Sequence, residues 1–312
     1  MYGQFFMLFG LILVGYYCNK KNYLTLETNK NMGNMVMHVT IPAMLITTIS
    51  GIEITDQVLK GFFASAAGQA GMMIGFGFLM RFYGRWRKLD GRLLPMLDLT
   101  TGSLNTGFIG LPVTMIFFGE AGIIYMSAGV LALNLYLWTY GVYIISDKKE
   151  SNPVAVGKTF LKGAINPNCI SILLGLALTM TRAIELVPDM VVGFLTKVGD
   201  LSTPLSLIYI GALAGGSGIS HLFKEKLALE ISLVKMILMP ALAILAMYFI
   251  PADGLTKSVF LLSICMPSAV VVPMMVGKYG YGEKLSSDIV LWTTFISMLT
   301  IPLSVTLANF LY

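Results

Sequence analysis

The residues best suited to recognise a small molecule lie where water should not reach. Gly102-Ser103-Leu104-Asn105-Thr106-Gly107-Phe108-Ile109-Gly110-Leu111-Pro112 sits inside an apolar run over residues 93–118. An amide and two hydroxyls there offer uncharged donors and acceptors. Pro112 lacks a backbone N–H and clashes with the carbonyl four residues back. In hydrocarbon an unpaired backbone group costs several kcal/mol, so a helix there breaks only where protein or a cavity supplies partners. Cys265-Met266-Pro267-Ser268-Ala269-Val270-Val271-Val272-Pro273 repeats the pattern later in the chain. Interrupted apolar segments at corresponding places in two halves point to a transporter's binding site. Asn105, Thr106, Gly107, Pro112, Pro267 and Ser268 are the expected substrate-binding residues. The alternatives are an asparagine that only joins helices and prolines that only kink them.

Charged side chains inside apolar runs form a second group: Asp98, Lys197, Asp200, Glu230, Lys235 and Asp288. Asp98, Glu230 and Asp288 fall within about two turns of segment ends and read as interfacial. Lys197 and Asp200, three apart, can pair on one helix face. Lys235 is deeper; it either neutralises a carboxylate or extends its ammonium to the interface. His38, Asp200 and Lys235 are the candidates for coupling or charge relay, since imidazole changes charge near neutrality. No H-E-x-x-H, G-x-S-x-G or paired catalytic aspartates occur, so no catalytic residue is assigned and an intramembrane enzyme ranks low. Cys18, Cys169 and Cys265 are far apart and form no ligand pattern. Neither a metal nor a cofactor is expected.

The elements that carry these residues are membrane spans. Of 312 residues 56% are hydrophobic and only 12% charged, against about 25% charged in a soluble domain. Ten apolar segments can be marked: 4–17, 31–50, 58–80, 93–118, 121–145, 164–181, 190–213, 225–250, 255–276 and 285–311. A spanning helix needs ~20 residues. Segment 4–17 reads as a retained first span, not a signal peptide. Loops after segments one, three, five, seven and nine hold sixteen of the 21 basic residues, Arg81, Arg85, Arg87, Lys88 and Arg92 being the densest cluster. The other loops hold Lys60, Arg182 and Lys257. The positive-inside rule then puts the sixteen in the cytoplasm and both termini outside, in the plasma membrane. The net charge of +5 is a topology signal and a lipid-headgroup contact, not a nucleic-acid footprint.

The halves resemble each other. Thr40-Ile41-Pro42 matches Ser202-Thr203-Pro204, His38 matches Asp200, Pro112 matches Pro267, and Gly119-Glu120 matches Gly282-Glu283. Five segments per half is odd, so the repeats lie in opposite orientations, as in many secondary transporters. The expected fold class is an all-α membrane protein of ten transmembrane helices in two inverted five-helix repeats, residues 1–146 and 164–312. A cytoplasmic linker, 147–163, joins them.

Asn105-Thr106-x-x-x-Gly110-Leu111-Pro112 resembles the fourth-span stretch of the auxin efflux carrier family. Met266-Pro267-Ser268-Ala269-Val270-x-x-Pro273 is similar to its ninth-span motif. Gly282-Glu283 with Trp292-Thr293-Thr294-x-x-Ser297-Met298-Leu299-Thr300-x-Pro302-Leu303 is similar to its tenth span, and Thr40-Ile41-Pro42 resembles its second. That family includes plant PIN-FORMED auxin exporters and bacterial permeases for malate or malonate. The resemblance implies that helices four and nine unwind at Pro112 and Pro267 and cross there, with Asn105 in the substrate site. The central loop is short where plant members often carry a long regulatory one.

These readings converge on a secondary transporter of a small organic anion, a carboxylate such as malate, malonate or an auxin-like acid. Its expected partners are that anion and membrane lipid, with a coupling cation and a homodimer left open, and no nucleic acid. The alternatives are a sodium- or proton-coupled carrier of the bile-acid or antiporter fold type, or a transporter-like membrane sensor.

Overall fold

The computed structural model describes residues 2–145, 165–216, 225–247 and 252–311, and the linker expected at 147–163 lies outside them. Among the described residues all regular structure is helical. Six helical stretches are long and apolar enough to cross a membrane: Glu27–Ser50, Asp56–Trp86, Leu93–Ile145, Asp189–Gly216, Lys226–Met247 and Glu283–Ala308. Phe6–Lys20, Pro167–Met180 and Gly254–Ile264 are shorter apolar helices.

Leu93–Ile145 is not one rod. Its 53 residues would reach ~80 Å as a single helix, against a hydrocarbon core of ~30 Å. Gly119, with φ +62° and ψ −160°, breaks it. A Cβ built on Gly110 would lie 2.8 Å from Met126 Sδ. An unbroken helix would hold residues that far apart in sequence ~24 Å apart. The chain therefore doubles back at Gly119, a backbone state that only glycine adopts without strain.

The helices pack in two sets. In the first, α1 (Tyr2–Lys20) lies along Ser202–Gly216, and Ile41–Ser50 lies against Pro167–Met180 and Asp189–Asp200. In the second, Asp56–Trp86 packs on Leu93–Gly102 and Leu111–Leu135, while Lys226–Met247 and Gly254–Ile264 pack on Glu283–Leu311. Leu111–Leu135 also touches the first set. Buried hydroxyls do not break these helices, because they bond to carbonyls one turn back, as Thr101 does to Leu97 O and Ser232 to Ala228 O.

Backbones touch where α1 crosses Ser202–Gly216. A Cβ on Gly211 would sit 1.9 Å from Ile12 O, and one on Gly15 2.0 Å from Ile208 O. Membrane helices gain their packing from such small residues, since lipid supplies no hydrophobic drive between them. Neither carbonyl can swing away as a side chain would. Gly211→Ala should therefore destabilise the detergent-solubilised protein by about 1–3 kcal/mol, the usual range for overpacking. Thermal unfolding checks this, and an unchanged midpoint would mean the two helices yield freely.

The candidate site at the crossed helix breaks

Two helices of the second set are interrupted. Leu93–Gly102 ends in extended Ser103, and the chain re-enters helix through a π turn, Thr106–Gly110, that runs into Leu111–Leu135. Gly254–Ile264 ends before Cys265, and helix resumes at Val271–Lys278. The first break is not at Pro112, as the resemblance implied, but seven to nine residues earlier. Pro112 sits in the first turn of its helix, where a missing N–H does least harm. Ser103 and Asn105 are residue types whose side chains compete with the helix for backbone groups. Asn105 Oδ1 accepts the Phe108 N–H at 3.2 Å and caps the re-entering turn. The second break does contain Pro267.

The breaks are bonded to each other. Asn105 N–H donates to Pro267 O at 2.8 Å, and Ala269 N–H to Ser103 Oγ at 3.1 Å. Lys235 Nζ, from Lys226–Met247, donates to Ser103 O at 2.6 Å and to Ser268 Oγ at 2.9 Å. Thr293 Oγ1 accepts the Ser268 N–H at 3.1 Å. Lys235 is 0% exposed, so its ammonium does not reach an interface. Among the described residues no carboxylate lies within ion-pair range of it. Each break thus supplies a bond to a backbone N–H of the other, and the buried Lys235 Nζ ties both.

A cavity of about 180 Å³ opens beside the crossing. Asn105, Gly107 and Phe108 line it from the first break, and Ala269, Val270 and Val271 from the second. Leu133, Asn134, Leu137 and Trp138 form another wall; Met37, His38 and Asn166-Pro167-Asn168 complete it from the first set of helices. Asn134 Oδ1 accepts from Asn166 Nδ2 at 2.5 Å. Asn105 is 3% exposed and its Nδ2 has no partner; Thr106 Oγ1 and Asn168 Oδ1 are likewise buried and unpaired. A Cβ on Gly107 would meet nothing within 4 Å. Among the described residues the lining holds no Asp, Glu, Lys or Arg, and His38 is its one titratable side chain. Imidazole Nδ1 lies 2.9 Å from Asn34 O.

The structure thus gathers Asn105, Gly107, Pro267 and Ser268 at the crossing, with Lys235 behind it and Thr106 buried next to Asn105. Pro112 stands apart in its helix. His38 and Asp200 are not brought together. Asp200 lines a different cavity of about 520 Å³ with Gln4, Thr47, Glu120 and Thr203. It also pairs with Lys197 at 4.0 Å, both side chains being exposed. A relay between His38 and Asp200 has no geometric basis.

Ser103 and Thr293 stand in the motifs quoted from the sequence but were not among the expected site residues, and the amides Asn134, Asn166 and Asn168 were passed over. Asn134 in an apolar run and Asn-Pro-Asn at a span's start were visible signals. Asp98 is fully buried in protein, 3.0 Å from Arg81 Nε and 2.6 Å from Tyr140 OH, and its backbone carbonyl accepts from Tyr136 OH at 3.1 Å. Glu230 pairs with Arg87 at 2.9 Å and accepts from Tyr83 OH.

A family model described as membrane transport protein matches residues 1–305. The chain is 27% identical over 299 residues to an uncharacterized transporter of Methanocaldococcus jannaschii, covering 94% of each protein. It is 23% identical over 297 residues to an uncharacterized transporter of Methanothermobacter thermautotrophicus, covering 94% of this chain and 93% of that one.

Proposed function

Because the chain belongs to the membrane transport protein family, that of the auxin efflux carriers, we propose that it is a secondary carrier of a small organic anion bound at the crossed breaks. The observation that carries the reading is the buried Asn105 Nδ2, a donor without a partner, lining a cavity with no acidic side chain among the described residues. Such a site repels no carboxylate and leaves a donor that a carboxylate oxygen would satisfy. Behind the break Lys235 Nζ donates to both interruptions and holds them together.

The cavity also selects. Phe108, Leu133, Leu137, Trp138, Val270 and Val271 give it apolar walls, and among the described residues no lysine or arginine lines it to meet a second carboxylate. This favours a monocarboxylate with an apolar body, such as an auxin-like acid, over malate or malonate. Where uptake is proton-coupled, the coupling falls to His38 without Asp200.

Ten passes in two inverted repeats account for the fold. The reversal at Gly119 divides Leu93–Ile145 into two passes. Interruptions before Pro42 (the π turn Val36–Thr40) and before Pro204 (at Leu201) support the pairing of halves, as do the two breaks. Alternating access would then be rocking of the first helix set against the second around the crossing.

Uptake into proteoliposomes of labelled indole-3-acetate, malate and malonate, with and without pH and sodium gradients, tests the function. The reading expects saturable uptake, strongest for indole-3-acetate; uptake of none, or of organic cations instead, would overturn it. Sidedness is a separate prediction from the basic loops. Thr55→Cys and Asp253→Cys should label from outside intact cells, and Trp86→Cys and Glu150→Cys should not. The reverse pattern would invert the topology.

A further inference from the structure

The wall of the cavity that belongs to the first helix set is a helix start. Pro167–Met180 is 14 residues long and has no acidic side chain in its first turn. Asn166 caps it, accepting the Cys169 N–H at 3.0 Å. Asn166 Nδ2 is taken up by Asn134 Oδ1 and, at 3.4 Å, by Cys169 Sγ. Pro167 carries no N–H, so the first backbone donor of the helix is that of Asn168. The Asn168 side chain is 3% exposed and lines the cavity. Its Oδ1 has no partner, and its Nδ2 has only the weak acceptor Met37 Sδ at 3.8 Å. Either end of this amide can turn to a ligand without breaking a strong bond.

We propose that the N-terminus of the helix Pro167–Met180, with Asn168 as a specificity-determining side chain, is the second half of the anion site. The proposal rests on the reading of the cavity as a carboxylate site. A helix N-terminus presents unpaired N–H groups and a partial positive charge, which suits a carboxylate. Asn105 belongs to one helix set and Asn168 to the other. An anion held by both touches the two bodies that must move relative to each other, and its departure removes a contact between them.

Asn168→Asp separates this role from a structural one. An acid in the first turn favours a helix, so a purely structural Asn168 predicts an unchanged or higher melting temperature and unchanged uptake. The anion seat predicts the same melting behaviour with the KM for indole-3-acetate raised at least tenfold, and a several-fold rise for Asn168→Ala. A readout without substrate accompanies it. The thiol of Asn168→Cys should react several-fold faster with an anionic than with a cationic thiosulfonate, relative to the thiol of Leu137→Cys in the same cavity, read by peptide mass. Parental uptake by Asn168→Asp beside impaired Asn105→Ala would sink the helix-end proposal and leave the proposed function standing. Parental uptake by both would overturn the cavity reading itself. Equal reagent preference at the two thiols would overturn the helix-end proposal whatever is transported.

Discussion

Lys235→Met should leave the protein folded and stop it carrying anions. The ammonium is fully buried and makes two bonds, to Ser103 O and Ser268 Oγ. Hydrogen bonds to charged groups contribute ~1.5–3 kcal/mol each, so losing both costs about 3–6 kcal/mol. Burying an ammonium costs several kcal/mol in the first place, and methionine relieves that while filling similar volume. The two terms nearly cancel, so the melting temperature should move little in either direction. Function does not cancel. The substitution removes the donor that ties the two breaks together behind the anion site, and uptake should fall by two orders of magnitude or more. Melting and uptake measured on the same preparation check this. Substantial uptake by Lys235→Met would reduce the lysine to a packing residue.

Asn105 should show the second large effect, divisible between its two ends. Oδ1 caps the Phe108 N–H, and Nδ2 faces the cavity unpaired. Asn105→Ala loses both. The cap is worth ~1 kcal/mol of stability, and a bond to an ionised ligand ~1.5–3 kcal/mol, or roughly tenfold to over a hundredfold in affinity. Asn105→Asp keeps an acceptor for Phe108, so it should melt like the parent. It replaces the donor with a second negative charge in a poorly solvated site, so it should bind a carboxylate less well than Asn105→Ala does. Calorimetric titration with indole-3-acetate, alongside melting curves, gives both numbers. Parental affinity in Asn105→Ala would return the amide to a helix-packing role.

The apolar helices, the existence of two breaks and the place of Asn105 at the first of them were legible because each follows from a local rule. Hydropathy marks the spans, and glycine, proline and short polar residues mark the interruptions. The position of the first break was misplaced because proline was weighed above its neighbours. A π turn before Leu111 lets Pro112 sit in a continuous helix, while Ser103 and Asn105 take the backbone bonds of the interruption. Lys235 was legible as a charge at depth, but its partners are 132 and 33 residues away, and no local pattern connects them. The pairing of His38 with Asp200 came from repeat alignment. Equivalent positions in two repeats occupy equivalent places on different faces, and the structure puts these two in separate cavities. Asn166 and Asn168 escaped notice because Asn-Pro-Asn reads as a helix start, and only the fold turns that start toward the crossing.

On the proposed reading an organic carboxylate sits between the crossed breaks and the start of helix Pro167–Met180, and a structure of the protein with indole-3-acetate would show it there. Ligand density is expected in the cavity of about 180 Å³, with a carboxylate oxygen ~2.9 Å from Asn105 Nδ2. Density instead in the larger cavity beside Glu120 and Asp200, or an Asn105 amide turned away from bound ligand, would contradict it.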